Sequence, residues 1–111
     1  MSDDRPRLLF VCSRNKRRSL TAEHLLRRSP HCAVRSVGTA PSARVQAREA
    51  DILWADVIFA MEQSHVEQLR QRFRGALVDR TMTCLDIPDD YEYMDADLID
   101  ALNAGLGEYL P

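Results

Sequence analysis

Leu8-Leu9-Phe10-Val11-Cys12-Ser13-Arg14-Asn15-Lys16-Arg17-Arg18-Ser19 decides how this chain is read. Leu8 to Val11 form a short continuous apolar run, as expected of a strand buried on both faces of a parallel sheet. The run delivers Cys12 into a polar, basic loop that closes on Arg18, six positions later. Leu20-Thr21-Ala22-Glu23-His24-Leu25-Leu26 then follows with helical spacing, with Ala22 and Leu25/Leu26 on one side. Ser19 stands where a helix cap would. Strand, basic loop and helix start are the layout that presents a thiolate to a bound oxyanion.

The spacing Cys-x5-Arg is weak by itself, because in this arginine-rich chain chance supplies roughly 0.4 such pairs. Its flanks give it weight. Neither other cysteine has them: six residues past Cys32 is Gly38, and six past Cys84 is Asp90.

A chain of 111 residues is expected to form one domain, residues 1–111, with a single core. The net charge of −2 argues against a dedicated nucleic-acid binder. Charge is unevenly spread all the same. Arg14, Lys16, Arg17 and Arg18 cluster early, whereas residues 86–100 carry Asp86, Asp89, Asp90, Glu92, Asp95, Asp97 and Asp100 with no base among them. The charged start, Met1 to Arg7, has no long apolar segment behind it, so a cytoplasmic protein without a membrane span is expected. Three cysteines with no Cys-x-x-Cys fit a reducing compartment. His24, His31 and His65 do not pair with cysteines at zinc spacing, and neither a metal site nor a cofactor is expected.

Further strands are expected at Ala33–Val37, stopped by Gly38, at Val57–Met61, and at Met82–Leu85. Helices are expected over Val45–Ala55, after a capping box at Ser64-His65-Val66-Glu67 as far as Gly75, and through Leu98, Ile99, Leu102 and Leu106 with Asp95 as cap. This alternation predicts an α/β fold, a four-stranded parallel sheet with helices on both faces. Ligands then bind at the carboxyl ends of the strands, where both Cys12 and the acidic loop Asp86–Tyr93 fall. Cys32, Cys84 and Trp54 read as core, and His65 as solvated helix surface. Tyr91 and Tyr93 either line the cleft or pack on the last helix.

The loop from Cys12 to Ser19 resembles the phosphate-binding loop of low-molecular-weight protein tyrosine phosphatases. The likeness continues, in family order, in Ser36-Val37-Gly38-Thr39, in Trp54-Ala55-Asp56-Val57-Ile58-Phe59-Ala60-Met61 and in Asp86-Ile87-Pro88-Asp89-Asp90-Tyr91. It is nearest to a short, atypical bacterial branch. The resemblance implies a phosphatase-I-like three-layer fold with a cysteinyl-phosphate intermediate. It casts Cys12 as nucleophile, Arg18 as the grip on the phosphoryl oxygens and Asp89 as the general acid. Asn15 would shape the loop, Ser19 would hydrogen-bond the thiolate, and Ser13, Arg14, Lys16 and Arg17 would complete the phosphate-binding loop. Implied ligands are a phosphorylated protein or small aryl phosphate, and inorganic phosphate.

The chemistry agrees. Loop N–H groups and a helix dipole attract a dianionic phosphate, an arginine fork follows it into the transition state, and the leaving oxygen needs a proton. Three departures mark this member. Arg14 replaces a usual glycine, Lys16 and Arg17 replace apolar or small residues, and the short segment from Thr39 to Ile52 lacks an aromatic wall for a phosphotyrosine ring. Asp90 also stands where proline is usual. Two other classes compete with the phosphatase: a non-catalytic phosphate or phosphoprotein-binding module, and a thiol-dependent arsenate reductase in which Cys84 resolves the adduct.

Overall fold

The computed structural model describes residues 4–107. Met1 to Asp3, the start of the charged segment noted above, lie outside the described residues. Nine elements follow: β1 (Arg7–Cys12), α1 (Arg18–Leu26), β2 (Ala33–Gly38), α2 (Glu49–Trp54), β3 (Val57–Ala60), α3 (Gln63–Arg72), α4 (Arg74–Leu77), β4 (Thr81–Cys84) and α5 (Ala96–Leu106). The strands form one sheet in the order β2-β1-β3-β4, every pairing parallel. The expected α/β architecture, a four-stranded parallel sheet with helices on both faces, is the observed one.

β1 explains the layering. Leu8, Leu9, Phe10 and Val11 are all 0 % exposed, so both faces of this central strand are covered. Side chains alternate across a strand. Leu8, Phe10 and Cys12 accordingly share one apolar cluster with Ala22 and Leu26 of α1, Phe59 of β3, and Leu98, Leu102 and Leu106 of α5. Leu9 and Val11 enter a second cluster with Ile52 of α2, Leu69 of α3 and Ala76 of α4. The register sets Phe10 opposite Phe59, whose rings stack at 5.4 Å. Asp95 caps α5 as its sequence predicts, its Oδ1 accepting from Asp97 N at 2.9 Å.

Four local expectations change. The helix expected over Val45–Ala55 is only Glu49–Trp54, because the chain before it is spent on the sheet end: Gly38 N donates to Val45 O and Ala47 N to Gly38 O. α3 starts at Gln63 with Glu62 as its cap residue, not Ser64, and His65 supplies the returning side-chain bond. Gly75 does not end that helix. α3 stops at Arg72, where Phe73 turns into the second apolar cluster, and Gly75 lies within α4. Ser19 is not a cap either, since α1 begins at Arg18 and has no side-chain cap. Among the described residues no helix is long and apolar enough to cross a membrane.

Candidate functional site

The loop after β1 is shaped from behind. Thr39 N, Ala40 N and Arg44 N donate to the carbonyls of Cys12, Ser13 and Arg14, each at 2.9 Å. Arg44 Nε adds a bond of 3.2 Å to Asn15 O. In a planar trans peptide the next N–H points opposite its carbonyl. Turning these carbonyls toward residues 39–44 therefore turns the following N–H groups toward the inside of the loop. Gly38 permits the close approach: a Cβ there would lie 2.5 Å from Ser13 O and 2.6 Å from Ala43 Cβ. Asn15 takes the left-handed conformation, φ 58°, which Asn tolerates better than most residues.

Inside this frame, Asn15 Nδ2 donates to Ser19 Oγ at 2.8 Å, and Ser19 Oγ lies 2.9 Å from Cys12 Sγ. A hydroxyl has one hydrogen. With Asn15 filling an acceptor position, that hydrogen has two acceptors in reach, Cys12 Sγ at 2.9 Å and the Val37 carbonyl at 3.4 Å, and a thiolate, which can only accept, is the nearer of them. Cys12, Asn15 and Ser19 are all buried. Ser19 is thus spent on sulfur instead of on capping. The uncapped start of α1 leaves its N–H groups to an anion.

Arg18 is 2 % exposed and held from three sides. It pairs with Glu62 Oε1, its Nη1 donates to Ile87 O at 2.8 Å, and its Nε lies 3.8 Å from Asp89 Oδ1. The pairing follows from topology. β3 neighbours β1, so the residue just past β3's end lands beside the loop. Cys12, Ser13, Arg14, Lys16, Arg17, Arg18 and Asp89 together line a cavity of about 100 Å³. Asn15 and Ser19 support that cavity from behind, and Asp90 is not among its lining residues. Arg14, Lys16 and Arg17 are exposed at its rim, Arg17 Nε 3.6 Å from Glu92 Oε2.

His65 is not solvated helix surface. It is 1 % exposed. Glu62 N donates to its Nδ1 at 3.1 Å, and its Nε2 lies 2.9 Å from Ser13 Oγ. Burial, followed by the nearby Arg18 cation, pushes its pKa down to about 4, so it is neutral at pH 7. From sequence alone His65 reads as surface and Glu62 does not stand out; the available signal is that both follow β3, at the carboxyl edge of the sheet.

Cys32 is buried as expected, and burial raises its thiol pKa. Cys84 is only half-buried, with Sγ 3.2 Å from Asp86 Oδ1. Val11 pairs with Ala60 and Ala60 with Cys84. Two strand spacings put Cys84 about 10 Å from the end of β1, beyond the ~7 Å limit for an unmoved backbone to form a disulfide. Trp54 is half-buried against the second cluster, with the Arg35 guanidinium 4.3 Å over its ring. Tyr91 packs against the α1/α5 cluster, and the exposed Tyr93 bonds His24. Neither tyrosine lines the cavity. No three His, Cys, Asp or Glu side chains among the described residues are grouped so as to hold a metal ion.

No family model and no curated protein matches the chain. Solved structures do. The tyrosine phosphatase Wzb from Escherichia coli K30, in complex with phosphate, is 21 % identical with a TM-score of 0.75, over 93 % of this chain and 94 % of that one. Vibrio vulnificus Wzb in complex with benzylphosphonate is 23 % identical with a TM-score of 0.70, over 93 % and 98 %. The YwlE arginine phosphatase from Geobacillus stearothermophilus is 22 % identical with a TM-score of 0.62, over 94 % and 85 %. The chain shares the fold of these phosphatases.

Proposed function

We propose that the chain is a phosphomonoester hydrolase of the low-molecular-weight tyrosine phosphatase type. One observation carries the reading. The chain Asn15 Nδ2 to Ser19 Oγ to Cys12 Sγ ends in the same small cavity that Arg18 and Asp89 line. In that reading the Cys12 thiolate attacks phosphorus in line, and the P–S bond forms as the ester P–O bond breaks. Asp89 gives its proton to the leaving oxygen. Water then attacks the cysteinyl phosphate, Asp89 takes a proton from it, and thiolate and inorganic phosphate are released. Arg18 and the inward N–H groups carry the charge that the phosphoryl oxygens hold in both transition states. Phosphorylated proteins and small organic phosphates are the substrates this chemistry suits, in a cytoplasmic setting where the thiol stays reduced.

The test is hydrolysis of a chromogenic aryl phosphate by wild type, Cys12→Ser and Asp89→Asn. Cys12→Ser abolishes turnover, and Asp89→Asn lowers it by a factor of about 100 or more. Activity retained by Cys12→Ser refutes the mechanism. The non-catalytic module draws on the absence, among the described residues, of an aromatic from the cavity lining. Phosphate binding by calorimetry with no turnover of any ester would establish it instead. The strand register weighs against the arsenate reductase, because Cys84 stands about 10 Å from the end of β1, too far to resolve an adduct on Cys12 without backbone movement.

A further inference from the structure

Ser13 and His65 form a pair that the reaction above does not use. Glu62 N donates to His65 Nδ1, so that nitrogen carries no proton. The single proton of the neutral ring is therefore on Nε2. Nε2–H donates to Ser13 Oγ, which thus acts as acceptor in the pair. The arrangement is the reverse of a serine nucleophile with a histidine base, because Nε2 has no free lone pair to take the serine proton. Ser13 keeps its own hydrogen. Among the described residues His65 is the one hydrogen-bond partner of that hydroxyl.

That hydrogen has a place to go. Ser13 lines the cavity and is half-buried, between the buried Cys12 and Arg18 below it and the exposed Arg14, Lys16 and Arg17 at the rim. Above the buried residues, every polar side chain except Asp89 is a donor, and among the described residues no ring lines the wall. We infer that Ser13 is a specificity-determining residue, positioned by His65: its hydroxyl donates to an acceptor on the organic part of the ester, and the site takes phosphate esters bearing a second anionic group near the ester oxygen. The inference rests on the phosphoester reading for its substrate, though not on turnover.

The experiment uses two phosphonates that cannot be hydrolysed, benzylphosphonate and 3-carboxybenzylphosphonate, with inorganic phosphate as reference. Calorimetry compares wild type, Ser13→Ala and Ser13→Thr. Wild type prefers the carboxylated compound by more than about tenfold, the worth of a charge-assisted hydrogen bond in a partly dry site. Ser13→Ala loses most of that preference, weakening the carboxylated compound more than it weakens benzylphosphonate or phosphate. Ser13→Thr, which keeps the hydroxyl, keeps the preference. Long-range nitrogen–proton NMR places the His65 proton on Nε2 in the free protein. An unchanged preference in Ser13→Ala overturns the inference, and so does an equal loss for all three ligands, which would assign Ser13 to the phosphoryl oxygens. A proton found on His65 Nδ1 overturns it as well. Should wild type hydrolyse no ester, the enzymatic reading falls, and a selective loss in Ser13→Ala still stands as evidence for the donor.

Discussion

Acidification from pH 7 to pH 4 is expected to destabilise this fold through one histidine. His65 titrates near 6.5 when exposed and at about 4 in the native chain, first because it is buried and second because Arg18 is close, against smaller opposing effects of Glu62 and Asp89. Between these values the unfolded chain binds a proton that the native chain refuses, so stability falls as pH drops through the window and flattens below about 4. At about 1.4 kcal/mol per unit, a shift of about 2.5 units amounts to at most about 3.5 kcal/mol in full. Protonation also removes the lone pair that accepts Glu62 N–H at the start of α3. The assay is urea unfolding of wild type and His65→Asn at half-unit steps between pH 7.5 and 4. Other groups, His24 and His31 included, are common to both proteins and cancel in the difference. The wild-type advantage should shrink by up to about 3 kcal/mol between pH 6.5 and 4. A difference that stays flat across the window, or a native His65 that titrates near 6.5 by NMR, refutes the reasoning.

Two further outcomes follow from contacts around the loop. Gly38→Ala should cost about 1–3 kcal/mol in urea unfolding, because the new Cβ meets the Ser13 carbonyl, backbone that cannot swing away. A cost within about 0.5 kcal/mol would mean that the loop yields. Glu62→Gln strips the buried Arg18 of its nearest carboxylate. A bound phosphate then supplies the missing charge, so 10 mM phosphate, an amount of roughly the scale used in such tests, should raise the melting temperature more in Glu62→Gln than in wild type. Equal shifts would refute that.

The fold was legible because β1 states its own burial. Four apolar residues in a row ending in cysteine read as a strand covered on both faces, and Leu8 to Val11 are just that. The loop was legible for a related reason, since strand, cysteine, arginine and helix lie within twelve consecutive residues. What escaped was set by contacts between distant segments. Residues 45–48 have helical spacing, yet Gly38 claims their backbone. His65 sits at a polar-looking helix start, and a capping template that looks for Glu or Gln at its third position does not register an imidazole as acceptor. The Arg18–Glu62 pair spans 44 residues and follows only from β3 lying beside β1.

The order of the sheet also separates the two chemical halves by strength of attachment. The cysteine ends a central strand paired on both sides, whereas Asp89 follows β4, an outer strand with β3 as its single partner and alternate exposed residues. Edge elements of this kind open at lower free energy than the core. Fraying of β4 would carry the carboxylic acid away while leaving the sulfur, its serine and its asparagine in place. On the proposed mechanism, a chain caught in that state would lose its proton donor and the Ile87 carbonyl that steadies Arg18, so turnover would fail before the fold does.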